Sequence, residues 1–208
     1  MNMDPKKQLV VATTNEGKVR ELRELLSELP LVLRSMVDVL GKKIEVVEDA
    51  PTFEGNAEKK ALELMRATGL PSLADDSGLE VDFLGGAPGV YSARYAGEHA
   101  TDEDNRQKLL HAIAAAGSPV KARFRCVLAF ANPLGADRID LEKVHGVCDG
   151  QIVRVPRGDH GFGYDPVFVP AGFDQTMAEL SSDVKNRISH RGDAFRKMKP
   201  ILELFARQ

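Results

Sequence analysis

An α/β fold is the class this sequence predicts, and three observations predict it. Leu9-Val10-Val11-Ala12 reads as a short buried strand, and the helix behind it carries Val19, Leu22, Leu25, Leu26 and Leu29 on one stripe. A second amphipathic helix, from Phe53 to about Thr68, leads into an apolar strand from Ser72 to Val81. Further on, the segments Ala122 to Ala131 and Arg138 to Cys148 alternate in the way antiparallel strands with one wet face do.

Composition narrows the function before any motif is read. The chain has 208 residues, length enough for a real core in one large or two-lobed domain. Its 43% hydrophobic and 28% charged content is that of an ordinary globule. A net charge of −3 gives no global positive field for nucleic acid or anionic membrane. A polyanionic ligand must therefore be met by a few placed cations. Neither a signal peptide nor a bilayer-spanning run is expected, which points to the cytoplasm. Cys126 and Cys148, in apolar strand-like surroundings without Cys-x-x-Cys spacing, read as reduced core thiols.

Taken in order, residues 1–8 read as a loose tail and Leu9 to Ala12 as the first strand. Thr13-Thr14-Asn15-Glu16-Gly17-Lys18 joins that strand to its helix, with Thr14 or Asn15 as cap and Pro30 at the far end. Free N–H groups and the helix dipole make such a loop a natural anion site, though taken alone it reads first as a capped helix with a solvated lysine. It is not a Walker A loop, since Ala12 stands at the first glycine and Val19 at the Ser/Thr. An extended segment, Ile44 to Glu48, precedes the second helix. On that helix Phe53, Ala57, Ala61 and Leu64 form the stripe, and Lys60 sits at its border, either snorkelling or reaching into a cleft. Gly69 and Pro71 end it.

The strand that follows ends its apolar run in Asp75-Asp76-Ser77-Gly78. Buried carboxylates must be paired or bind a metal, and two beside a hydroxyl suit a hard cation such as Mg²⁺. An Asx-type turn is the alternative. Neighbouring strand residues face opposite ways, so both carboxylates enter one site only if the strand breaks there, as Gly78 would permit. Leu84 to Tyr95 reads as a long Gly/Pro-rich loop lining a cleft or a subunit contact. A third helix is expected from Asp102 to Ala116, capped by Thr101 or Asp102, and Asp149-Gly150 as a hairpin turn.

Glycines around Phe162 in Gly161-Phe162-Gly163-Tyr164-Asp165 either open an aromatic face to a flat ligand or let the ring plug the core. Thr176-Met177-Ala178-Glu179 has the pattern of a capping box. Lys185, His190 and Arg191 form a solvated charged face or, with Gly192 and Asp193 as C-cap and N-cap, line an interhelix corner. A last amphipathic helix carries Phe195, Met198, Ile201, Leu202 and Phe205.

Five of these stretches occur together and in register: Thr13 to Lys18, Ala74 to Leu79, Gly85 to Arg94, Phe162 to Asp165 and Ser189 to Gly192. The set resembles the inosine/xanthosine triphosphate pyrophosphatase family, which removes deaminated purine nucleotides, and it covers nearly the whole chain. The resemblance implies an α/β fold with a long central mixed sheet flanked by helices, in a single domain of two lobes around a substrate cleft, and a homodimer. Thr13, Thr14, Asn15, Glu16, Gly17, Lys18 and Lys60 would hold the triphosphate. Asp76 would bind Mg²⁺ and act as general base, with Ser77 touching substrate. Phe162, Gly163, Tyr164, Asp165, Lys185, His190 and Arg191 would hold the nucleoside and read its base. Many members have Glu-Asn where this chain has Gly55-Asn56, and Glu54 replaces that metal ligand only through a non-helical start to its segment.

The chemistry agrees with the resemblance. Splitting a nucleoside triphosphate between its α and β phosphates needs charge neutralised on pyrophosphate and an in-line water. Two other readings stand beside it: a pyrophosphatase for other modified nucleotides, separated by what Lys185, His190 and Arg191 read, and a non-catalytic nucleotide sensor. The paired carboxylates oppose the sensor, because they repel phosphate.

Overall fold

The computed structural model describes residues 7–13, 15–135 and 138–208, with the side chain of Glu16 excluded. The proposed roles of Thr14 and of the Glu16 side chain lie outside the described residues. Among the described residues the strands form one mixed sheet of six, in the order β2-β1-β3-β4-β5-β6. In chain order these are β1 (Lys7–Ala12), β2 (Leu31–Ser35), β3 (Ser72–Val81), β4 (Val120–Pro133), β5 (Ile139–Ile152) and β6 (Phe168–Pro170). The helices are α1 (Glu16–Leu26), α2 (Met36–Leu40), α3 (Phe53–Thr68), α4 (Asp102–Ala112), α5 (Ser182–Ile188) and α6 (His190–Arg207).

β1 lies between β2 and β3 and is parallel to both, as strand–helix–strand connections require. Its pairing with β3 stops at Ala12↔Ala74, so the carboxylates that follow stand just past the C-terminal end of β1. That is where open α/β sheets hold their ligands. β5 and β6 pair antiparallel.

The chain divides into two compact units, one formed by the described residues of Met1–Asp76, Val127–His145 and Ala194–Gln208, the other by Ser77–Cys126 and Gly146–Asp193. In the first, Leu9, Val10, Leu22, Leu26, Ala57, Ala61, Leu64, Leu73 and Leu202 are all buried, and Phe130 packs against Phe205 with ring centroids 5.3 Å apart. In the second, Leu79, Leu109, Ile113, Phe124, Tyr164, Val167 and Phe168 form one continuous core.

Several boundaries follow their expected causes. Asn15 caps α1 by accepting from the Lys18 amide, and Gly69 closes α3 in the left-handed region. Thr101 caps α4 in a full capping box with Asp104. Other features differ from expectation. β1 begins at Lys7, two residues before the apolar run. β2 and α2 were not foreseen; Ser35 starts α2 through a capping box with Asp38. The segment 43–50 is irregular. β3 runs unbroken through Asp75-Asp76-Ser77-Gly78, so no kink at Gly78 turns both carboxylates to one side.

Asp149-Gly150 is not a turn, since β5 continues to Ile152 and Gly150 pairs with Pro170. A Cβ there would stand 2.6 Å from the Phe168 ring, so the glycine serves close strand approach. Thr176 and Glu179 make a turn and no helix: the Glu179 carboxylate accepts from the Thr176 amide at 2.7 Å, as in a capping box, while the Thr176 hydroxyl donates to the Arg157 carbonyl at 2.8 Å. Gly192 is not a C-cap. It lies inside α6, where a Cβ would overlap the Asn186 carbonyl, and the corner falls at Ser189, whose hydroxyl accepts from the Gly192 amide at 3.0 Å.

Candidate active site

The first unit gathers its charged groups around β3. Asp75 and Asp76 point oppositely, as adjacent strand residues must, and each meets a lysine from a different helix. Lys18, in the first turn of α1, pairs with Asp75. Lys60, on α3, donates to Asp76 Oδ1 at 2.8 Å and lies 3.4 Å from Glu48 Oε1. Lys60 is buried, so its border position on α3 turns it inward beside two carboxylates. Burial opposes its charge, but Asp76, Glu48 and Asp75 outweigh that and raise its pKa. Burial pushes the Asp76 carboxyl up to about 6, against the pull of Lys60 and Lys18. Burial also opposes ionised Glu48, yet Lys60 above all holds its carboxyl below the ordinary value.

Asp76 Oδ2 is buried and no hydrogen-bond donor reaches it. A coordination-free carboxylate oxygen, with Glu48 on the same lysine, fits a hard oxygen-seeking cation. Among the described residues no three His, Cys, Asp or Glu side chains gather into a metal cage. Two carboxylates with the remaining ligands from phosphate and water is the pattern of Mg²⁺. Glu54 sits in a regular helix from Phe53 onward, because Thr52 caps it by accepting from the Gly55 amide at 3.1 Å. The non-helical start that Glu54 would need to take that metal ligand's place is therefore absent. Glu54 meets His145 Nδ1 at 3.2 Å, and the carboxylate that shares Lys60 with Asp76 is Glu48. Glu48 escaped the sequence reading because its segment has no period to mark which side chains turn inward.

In the loop before α1, Thr13 Oγ1 accepts from the Asn15 amide at 3.2 Å and Asn15 Oδ1 from the Lys18 amide at 3.0 Å. These bonds fix a helix N-terminus with Lys18 in its first turn, a ready anion site.

The second unit carries the other group. Lys185, His190 and Arg191 are buried, which overturns the solvated-face reading of that run. Lys185 Nζ donates to Asp165 Oδ2 at 2.7 Å, and the same oxygen accepts from the Phe162 amide at 2.9 Å. Gly161 leaves room for that carboxylate, since a Cβ there would overlap it. Arg191 Nη2 donates to Ser77 Oγ at 3.0 Å. The Phe162 ring is half-buried and faces two cations, Lys185 Nζ at 5.0 Å and Arg191 Cζ at 5.7 Å from its centroid. His190 stacks on Phe124 at 4.8 Å. The Tyr164 hydroxyl donates to the Ser92 carbonyl at 2.9 Å, while Ser92 Oγ accepts from the Leu79 amide and donates to the Gly89 carbonyl. The Gly/Pro-rich loop is thus folded around Ser92, bracing β3 directly after Gly78.

Comparison with known proteins identifies the family. The chain matches the Ham1 family over residues 9–201. It is 48% identical to the dITP/XTP pyrophosphatase of Desulfotalea psychrophila over 191 residues, 92% of this chain and 83% of that one. It is 47% identical to the dITP/XTP pyrophosphatase of Bacillus licheniformis over 198 residues, 95% of this chain and 98% of that one. A HAM1 protein structure from Coxiella burnetii superposes with a TM-score of 0.82 at 42% identity, covering 94% of this chain and 98% of that one.

Proposed function

From the chain's membership of the Ham1 family, we propose that it hydrolyses deaminated purine nucleoside triphosphates, dITP, ITP and XTP, to the monophosphate and pyrophosphate, clearing them from the nucleotide pool. The relatives' activity on dITP and XTP supports the substrate class. The observation that carries the chemistry is Asp76, a buried carboxylate with one oxygen on Lys60 and the other without a donor.

Lys18, Lys60 and the N-terminus of α1 neutralise the triphosphate. Asp76 takes a proton from water as the water oxygen bonds to the α-phosphorus. The bond from that phosphorus to its bridging oxygen breaks, and pyrophosphate leaves with the electron pair. Asp76 and Glu48 would hold Mg²⁺, which supplies charge neutralisation on the phosphate oxygens. Asp75 keeps Lys18 in place and takes no proton.

For the nucleoside, Phe162 offers its ring, and Lys185, His190 and Arg191 offer donors to the 6-keto group of hypoxanthine and xanthine. Adenine presents an amino donor at that position and leaves those donors unmatched, a loss of about 1–3 kcal/mol for each buried polar group. The same reading makes the enzyme a cytoplasmic homodimer that binds neither nucleic acid nor membrane; no described helix is long and apolar enough to cross a bilayer.

The test is product analysis with Mg²⁺ on dITP, XTP, dGTP and dATP. Monophosphate and pyrophosphate from dITP and XTP, with dATP nearly inert, are the expected result. Release of orthophosphate, or equal rates on all four, would overturn the assignment.

A further inference from the structure

Both backbone groups of Gly163 are taken by side chains of α4. Its N–H donates to Asp102 Oδ2 at 2.7 Å, and its carbonyl accepts from Arg106 Nη1 at 2.6 Å. Asp102 and Arg106 stand one helical turn apart, four residues along α4, and so share a face. Arg106 is itself held, its Nη2 donating to Glu103 Oε2 at 2.6 Å, and its side chain is only 16% exposed. Charge-assisted bonds of this kind are stronger than neutral ones.

The grip falls at a consequential place. Gly163 has φ of +59°, a left-handed conformation that glycine reaches freely and that gives the chain its reversal. On one side of it Phe162 carries the ring that faces Lys185 and Arg191. On the other, Tyr164 and Asp165 are buried and bonded, Tyr164 to Ser92 and Asp165 to Lys185. The N–H belongs to the Phe162–Gly163 peptide and the carbonyl to the Gly163–Tyr164 peptide, so the two bonds anchor the chain on both sides of the Gly163 Cα.

We propose that Asp102 and Arg106 are positioning residues for nucleoside recognition: by clamping Gly163 they set where the Phe162 ring stands, and thereby govern KM and base selectivity. This rests on the reading above that the Phe162–Asp165 turn holds the nucleoside. In that reading neither Asp102 nor Arg106 holds phosphate or the attacking water. A brace serving only the fold would have another signature, namely a loss of active protein that is equal for every substrate.

The experiment compares wild type with Arg106→Ala, Arg106→Gln, Asp102→Ala and Asp102→Asn on dITP and dGTP with Mg²⁺. Inorganic tripolyphosphate serves as a competitive inhibitor that has no base. Arg106→Ala and Asp102→Ala should each raise KM for dITP by about tenfold while kcat stays within about twofold. The dITP-to-dGTP ratio of kcat/KM should shrink, and inhibition by tripolyphosphate should be unchanged. Asp102→Asn keeps an acceptor oxygen for the Gly163 amide and should keep the wild-type KM. Thermal melts establish that each variant is folded; Asp102 is itself exposed, so its pair carries the test if Arg106→Ala does not fold. A folded alanine variant with wild-type KM and base ratio overturns the clamp. So does an equal loss on both nucleotides accompanied by weaker tripolyphosphate binding. Failure of wild type itself to release pyrophosphate from dITP would be seen before any variant is made, and would overturn the functional reading and the clamp with it.

Discussion

The two charged groups are built by opposite means. Around Asp75 and Asp76, side chain meets side chain: Lys18 with Asp75, Lys60 with Asp76 and Glu48, from four separate stretches of chain. Around Phe162 the backbone itself is held, the amide of Phe162 by Asp165 and both polar groups of Gly163 by α4. Ionic partners on flexible stems can exchange one another for phosphate oxygens and return. A turn fixed through its own peptides keeps one shape whether or not a ligand is present. The first arrangement suits a polyanion that must be held and released, the second a planar group that must be measured.

Substitutions should separate the two. Asp76→Asn bears on the chemistry alone: the fold and nucleotide binding should survive, while kcat falls by about 10²–10⁴-fold, as for loss of a general base. A variant with more than about a tenth of wild-type kcat would exclude Asp76 as the base. Lys60→Ala removes a charged donor and should cost about 10–100-fold in kcat/KM. Because phosphate carries no base information, that loss should be the same for dITP, XTP and dGTP; a changed ratio among them would place Lys60 elsewhere. Arg191→Ala should instead act on one comparison. It should lower kcat/KM for dITP about tenfold more than for dATP, in line with a lost donor to the 6-keto oxygen. An unchanged ratio would remove Arg191 from base reading.

Lys185→Ala tests how much the second group depends on the buried Lys185–Asp165 ion pair. It takes the lysine from Asp165, which keeps the Phe162 amide and whose side chain is only 6% exposed. Breaking such a pair costs about 3–5 kcal/mol, which is about 10 °C in Tm for a chain of this size. Calorimetry decides; a shift under about 2 °C would mean that Asp165 finds another donor. The smallest effect concerns a thiol outside both groups. Burial pushes Cys148 up to about 12, so it should resist iodoacetamide at pH 8 until the protein unfolds. Stoichiometric labelling of native protein at that residue would contradict its packing.

Much of this was legible in the chain because it depends on period and punctuation. Lys60 follows from the Phe53-Ala57-Ala61-Leu64 stripe, which leaves it at the edge of a buried face, and Gly69 ends the helix where a left-handed residue must. Asp75 and Asp76 stand out as carboxylates in an apolar run, and their divergence follows from the pleat. Glu48 was hidden because an irregular segment has no face. Asp102 and Arg106 were hidden because residues four apart on a charged helix look like solvent contacts, and only tertiary structure brings Gly163 to them. Gly150 and Gly192 misled for one reason. A glycine marks either a free backbone or a crowded one, and the sequence does not say which.

That crowding has a consequence for anyone redesigning the enzyme toward other bases. At Gly192 a Cβ would overlap the Asn186 carbonyl, which belongs to backbone and has no rotamer by which to retreat. Saturation libraries spanning the α5–α6 corner should therefore return diversity at 185 and 191 and glycine alone at 192. On the proposed reading of the base, new specificity at this corner is to be sought by exchanging the side chains mounted on it, with the corner itself left as an immovable fixture.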